Sequence, residues 1–107
     1  MNKVFCLISS PPDSTQAQRG LELVQEWEKQ GNKVQVCLIQ DAIYMGLQKN
    51  TVQIHTSLSP DQWLVLDEDL QLRGFTSSEL RPGVQTINYD QLTQTLLEDA
   101  DQVIGSF

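Results

Sequence analysis

Metal ligands and reactive thiols are scarce in this chain, which has one histidine and two cysteines among 107 residues. A protein zinc site takes four ligands, usually in closely spaced pairs, and Cys6, Cys37 and His55 are far apart, so no metal or other cofactor is expected. Cations are also few. Seven Lys and Arg face fourteen Asp and Glu, and the formal net charge of −7 repels a phosphate backbone, which argues against direct nucleic-acid binding. Apolar runs are short: none nears the roughly 20 residues of a membrane span, and residues 4–8 are too few for the apolar core of a signal peptide. Both cysteines sit inside apolar runs rather than in a spaced disulfide framework, which suits a reducing compartment. The expectation is a cytoplasmic protein without membrane contact. The length allows one hydrophobic core and not two, so residues 1–107 read as a single domain.

What the chain does have is an alternation of two apolar periods. Residues 4–8, 34–39, 63–66, 84–87 and 103–104 are short runs rich in β-branched residues and read as strands. The first three are almost continuously apolar, as central parallel strands covered on both faces are, and the last two read as edges. Between the first pair, Ala17, Leu21 and Val24 recur at helical spacing, widened by Leu23 and Trp27. Asp13 with Gln16 suggests that helix's start, and Gly31 its left-handed end. Short helical turns are expected over 41–47 and 67–73, each opened by acids that favour a helix amino end, with Gly74 closing the second. A further helix is expected over 90–99, capped by Asn88 with Gln91, with Tyr89, Leu92 and Leu96 on one face. Residues 49–62 read either as extended chain through Val52, Ile54 and Leu58 or as irregular helix, with Ser59-Pro60-Asp61 turning into the third strand. The order βαβαβαβαβ predicts an α/β fold, a three-layer α/β/α sandwich around a mainly parallel five-stranded sheet.

Open α/β sheets bind ligands beyond the carboxyl ends of their strands, so a site belongs to the loops after Ile8, Ile39 and Leu66. The first, Ser9-Ser10-Pro11-Pro12-Asp13-Ser14-Thr15, is rich in hydroxyls but has no glycine, loses two donors to proline and carries a repelling acid. It reads as a structural loop and helix cap rather than a phosphate site. His55 reads as a rim residue, and no serine has the flanking glycines of a nucleophile elbow. Cys37 lies near the functional edge and is the candidate catalytic thiol. Val36, Leu38 and Ile39 surround it, however, and apolar surroundings raise a thiol pKa, so Cys37 and Cys6 are both expected to be buried and slow to react. After the third strand, Asp67-Glu68-Asp69 and Arg73-Gly74 read as an acid-favoured helix start with a cation at its end, Asp69 and Arg73 pairing on the helix surface.

Two segments together are more specific than either alone. Leu38-Ile39-Gln40-Asp41-Ala42-Ile43-Tyr44, followed by Leu64-Val65-Leu66-Asp67-Glu68-Asp69-Leu70-Gln71-Leu72-Arg73-Gly74-Phe75, resembles the paired signatures of the DsrE/DsrF/DsrH superfamily, and in particular of DsrH, also called TusB. Pro82-Gly83-Val84, Ile87-Asn88-Tyr89-Asp90 and the segment from Leu92 to Ile104 resemble that family's closing strand, helix and strand. The resemblance implies a small cytoplasmic domain that assembles into trimers or hexamers, often hetero-oligomers, and passes persulfide sulfur for tRNA uridine thiolation or intracellular sulfur oxidation. The positions where relatives carry the sulfur hold no thiol here: the stretch before Arg73-Gly74 reads Leu66-Asp67-Glu68, and the first helix reads Leu21-Glu22-Leu23-Val24-Gln25.

The resemblance therefore implies a non-catalytic or accessory subunit of a sulfur-relay assembly, not a stand-alone enzyme, with DsrE/DsrF-like proteins as partners. In that reading Asp41, Tyr44, Asp69, Arg73 and Gly74 form the interface or partner-binding rim. The alternatives are a persulfide carrier using Cys37 and a small-ligand-binding regulatory domain. Tyr44, Met45, Leu47, Leu70, Leu72 and Phe75 are expected to stay partly uncovered by one small core and to form the contact surface of a trimer or a dimer of trimers, with Arg73 meeting an acid across it.

Overall fold

A computed structural model describes residues 2–50, 58–105 and 107. Five strands form one sheet: β1 (Lys3–Ile8), β2 (Lys33–Leu38), β3 (Trp63–Leu66), β4 (Gln85–Ile87) and β5 (Gln102–Ile104). Their order is β4-β3-β2-β1-β5 and every neighbouring pair is parallel. The α/β sandwich is as expected, with the two shortest, least apolar strands at the edges, where only one neighbour is needed.

The helices are α1 (Thr15–Lys29), α2 (Asp67–Leu72) and α3 (Tyr89–Gln94). Three 3-10 segments, Gln40–Gly46, Pro60–Gln62 and Ser77–Glu79, and one π-helical turn, Thr95–Asp99, complete the described elements. Steps from β1 to β2, β3 and β4 all run the same way along the sheet, and right-handed crossovers therefore put their connections on one face. The return from β4 to β5 runs the other way and places α3 on the opposite face.

Side-chain alternation along each strand then builds two cores. Val4, Cys6, Ile8, Val36, Leu38 and Val65 pack with Ala17, Leu21 and Val24 of α1, with Ala42, Ile43 and Met45, and with Leu70 of α2. Phe5, Cys37, Leu64, Leu66 and Ile87 pack with Leu92 on the other side, flanked by Leu7, Ile39, Leu96 and Ala100.

Local details depart from expectation in three places. The α1 cap is Ser14, whose hydroxyl accepts from the Ala17 N–H at 3.1 Å; Asp13 lies one residue too early for that role. The turn expected over 41–47 is a 3-10 segment beginning at Gln40. The helix expected over 90–99 runs as α3 and then widens into the π turn; Leu92 is buried, and Tyr89, the first residue of α3, is 53% exposed, off the face assigned to it. In the ambiguous stretch, Val52, Ile54 and His55 lie outside the described residues, and the described end holds a buried Leu58 and a 3-10 turn leading into β3. The Asn88–Gln91 capping box forms as expected, and Gly31 and Gly74 take the left-handed φ values, +90° and +82°, that end their helices.

Candidate functional site

At the carboxyl ends of β2 and β3 the chain turns into the 3-10 segment and into α2, and parallel pairing of the two strands brings these turns side by side. Gln40, at φ 49°, is the one non-glycine residue with positive φ among the described residues. That conformation costs of order 1–2 kcal/mol and needs outside support. The support comes from Asp69, whose Oδ2 accepts from the Gln40 backbone N–H at 2.7 Å. Asp69 is 8% exposed, the only charged side chain among the buried described residues.

Arg73, at the end of α2, ties the two turns together from above. Its Nη2 lies 3.0 Å and its Nε 3.3 Å from Asp41 Oδ1, and its Nη1 lies 3.6 Å from Asp69 Oδ1 while donating to the Asp69 carbonyl at 3.3 Å. Gly74 then reverses the chain, and the Phe75 N–H donates back to the Leu70 carbonyl at 3.1 Å. The reversal brings the Phe75 ring edge-on to Tyr44, with centroids 5.8 Å apart at 88°. Asp41, Tyr44, Asp69, Arg73 and Gly74 thus meet in one cluster.

One detail of the expected pairing changes. Asp69 and Arg73 do pair, but Asp69 is sunk beneath the guanidinium rather than lying on the helix surface, because its second oxygen is claimed by Gln40. Within its own chain Arg73 meets Asp41 and Asp69. Two carboxylates around one guanidinium leave the cluster with one net negative charge, and the Arg73–Asp41 contact, with Asp41's side chain 57% exposed, contributes little beyond geometry.

Both cysteines are fully buried. Burial, and after it the charge of Asp69, pushes the Cys37 thiol up to about 12; burial alone does the same for Cys6. At neutral pH such a thiol is ionised only about once in 10⁵. Cys37 belongs to the sheet face opposite the Asp69-bearing helix and offers no reachable nucleophile to the cluster.

The Ser9–Thr15 loop is hydrogen-bonded within the chain. The Ser9 and Ser10 N–H groups donate to the Phe107 carbonyl at 2.7 and 3.0 Å, and the Ser14 hydroxyl donates to the Pro11 carbonyl at 2.6 Å. Of the apolar residues expected to stay uncovered, Met45 and Leu47 are buried at the 3-10 segment and Leu70 on the inner side of α2; Leu72 is 80% exposed and Tyr44 37%. A cavity of about 770 Å³ lies at the amino ends of β1 and β2, among Lys33, Gln35, Gln62 and Asp99, away from the cluster. Among the described residues no three His, Cys, Asp or Glu side chains gather as metal ligands. The residue that sequence reasoning missed is Gln40, since no composition signal marks a glutamine for left-handed backbone.

A family model described as DsrH like protein matches residues 9–102. No curated protein matches. Among solved structures, the ychN protein from E. coli is 20% identical with a TM-score of 0.74, over 97% of this chain and 98% of that one. The protein of unknown function MTH1491 from Methanobacterium thermoautotrophicum is 9% identical with a TM-score of 0.73, over 98% of this chain and 100% of that one. At these identities the two structures share the fold with this chain, and nothing finer follows from them.

Proposed function

The chain belongs to the DsrH-like family, and we propose that within a sulfur relay it is a non-catalytic accessory subunit that docks and orients a partner carrying the persulfide. One observation carries this reading: at the carboxyl edge of the sheet, where the fold receives ligands, the chain presents an Asp41–Arg73–Asp69 cluster in place of a thiol, while its two cysteines are buried and protonated.

The cluster's chemistry fits a positioning role. A persulfide anion needs an unpaired cation or several free N–H donors, and Arg73 is already neutralised by two carboxylates. What the edge offers a partner is a fixed shape with residual negative charge, bordered by the exposed Leu72 and the Tyr44–Phe75 pair. A partner surface of DsrE or DsrF type that meets it brings cations and a small apolar pocket. Whether the sulfur then travels toward tRNA uridine or comes from stored sulfur depends on the partner's chemistry, and the same edge serves either.

Radiolabelled cysteine and a cysteine desulfurase test the reading directly. The purified chain should acquire no reductant-labile label, whereas a DsrE-type partner should acquire it and co-elute with this chain. Reductant-labile label at Cys37 would instead establish the carrier alternative.

A further inference from the structure

Arg81 lies two residues past the Ser77–Glu79 segment, on a backbone fixed at several points. Its N–H donates to the Gly46 carbonyl at 2.8 Å, and its carbonyl accepts from the Val84 N–H at 3.1 Å. Just before it, Leu80 bridges to Leu47 and the Gln48 N–H donates to the Glu79 carbonyl at 2.9 Å. From this tethered backbone the side chain reaches over the buried Trp63, the first residue of β3, with the guanidinium carbon 5.3 Å from the ring centroid.

The guanidinium is not satisfied there. Its Nε and Nη2 are buried and have no hydrogen-bond partner among the described residues. Burial pushes its pKa down, an effect that an acid beside it would oppose. These two nitrogens are neighbours and form the side-on edge of the group, the fork that takes both oxygens of a carboxylate. Arg73 turns the same edge, Nε and Nη2, toward Asp41. Carboxylates are not in short supply, since the chain has twice as many acids as cations. Yet Glu79, two residues earlier, is committed to the capping box with Thr76, and Asp61, in the turn against Gly83, accepts from the Ser59 hydroxyl. A side chain needed only to cover Trp63 has an apolar counterpart in methionine, which brings no donors to desolvate. Two buried N–H groups of a cation without acceptors cost their hydration with no return, unless the acceptors come from outside the chain.

We propose that the Nε–Nη2 fork of Arg81, held over Trp63, is a binding site for a carboxylate that the chain itself does not supply. The fork offers one positive charge and two parallel donors, which matches a monoanion with two oxygens in one plane. A sulfate or phosphate dianion brings a charge beyond that of the fork, to a chain already at −7. Much of the guanidinium's desolvation is met before the ligand arrives, and the tethered backbone fixes where the side chain starts, so pairing recovers energy without first ordering the site. As a residue Arg81 is half-buried, so a rotation of its long side chain brings the fork to solvent. The carboxylate belongs to a small molecule or to an Asp or Glu side chain of another protein, and the chemistry at the fork is the same. Trp63 opens β3 while the Asp41–Arg73–Asp69 cluster lies past that strand's other end, so the two sites are separate.

Heteronuclear NMR of the full chain reads the Arg81 Nε–H and the Trp63 indole N–H directly. Acetate, titrated against chloride at constant ionic strength, should move the Arg81 Nε–H downfield along a saturating curve and shift the Trp63 indole with it. Sulfate should bind about tenfold or more weakly. Arg81→Lys keeps the charge and loses the fork, so acetate affinity read at Trp63 should fall about tenfold or more, and Arg81→Met should abolish the response. N-acetylglutamate N-methylamide separates the two sources: binding equal to acetate assigns the fork to a protein side chain, and binding of acetate alone assigns it to a small free carboxylate. Equal shifts with acetate and chloride, sulfate binding as tight as acetate, or an acetate response that survives in R81K and R81M would overturn the proposal. If neither variant folds, the wild-type titration decides: a saturating response to acetate and not to chloride supports the site, and its absence rejects it.

Discussion

The two faces of the sheet hold one buried cysteine each, Cys6 on the α1 side and Cys37 on the α3 side, but they are covered in different ways. The α1 side is closed by a fifteen-residue helix, the 3-10 segment and α2, all anchored by side chains with no exposure, such as Val24, Ile43, Met45 and Leu70. The α3 side has a six-residue helix and a π turn, and of that layer only Leu92 is buried, while Tyr89 and Leu97 point outward at 53% and 79% exposure. The asymmetry follows from topology: three of the four crossovers share one face, and the fourth must span the sheet alone. The thicker side therefore carries the stability, and the carboxyl-edge cluster rests on it through Leu70 and Ala42.

The largest expected effect separates the faces. Leu38→Ala, in the thick core, should cost about 3–5 kcal/mol, and Leu92→Ala, where the neighbouring layer can collapse, about 2–3 kcal/mol. Urea unfolding checks this, and equal losses would show that the thin layer is packed as tightly as the thick one.

The thiols give a smaller and pH-dependent contrast. Both are raised in the folded chain from an ordinary value of 9.0 to about 12, so each favours the folded state below pH 9 and loses that contribution as pH climbs from 9 toward 12. Between pH 8 and 10.5 the wild-type chain should lose about 2 kcal/mol more stability than Cys37→Ala, and a similar amount more than Cys6→Ala. Parallel urea titrations measure it. Under native conditions alkylation should reach Cys37 before Cys6, because one short helix opens more readily than α1 with its neighbours; the reverse order would break the comparison.

The smallest effect on stability belongs to Leu72→Asp on the outer side of α2. At 80% exposure the side chain touches little of its own core, so the melting free energy should change by within about 0.5 kcal/mol. Co-elution with a DsrE-type partner should nevertheless be lost, since the change places an unpaired charge in the expected contact. Unimpaired co-elution would move the docking surface elsewhere.

Much of this was legible from residue order. Five apolar runs became five strands, because β-branched runs of that length fit a doubly covered parallel sheet, and Ala17, Leu21 and Val24 became the buried stripe of α1. The site was legible in pieces. Asp41 and the acids from Asp67 to Asp69 each read as an acid-favoured turn start and Arg73 as a helix-end cation, and each local reading was sound. Their union was not legible, since Asp41 and Asp69 are 28 positions apart and meet only because β2 and β3 pair in parallel and deliver both turns to one edge.

The sequence by itself determined the class of fold, the approximate positions of the helices, and the confinement of both cysteines to apolar surroundings, because these depend on period, capping chemistry and immediate neighbours. Only the tertiary structure decided which carboxylate is buried, that Gln40 adopts left-handed backbone beneath it, that Arg73 is satisfied within its own chain, and that Phe107 returns to Ser9 and Ser10. Each of these is a contact between segments distant in sequence, and its energy comes from desolvation and from donors aimed by the packed sheet, which no local pattern of residues contains.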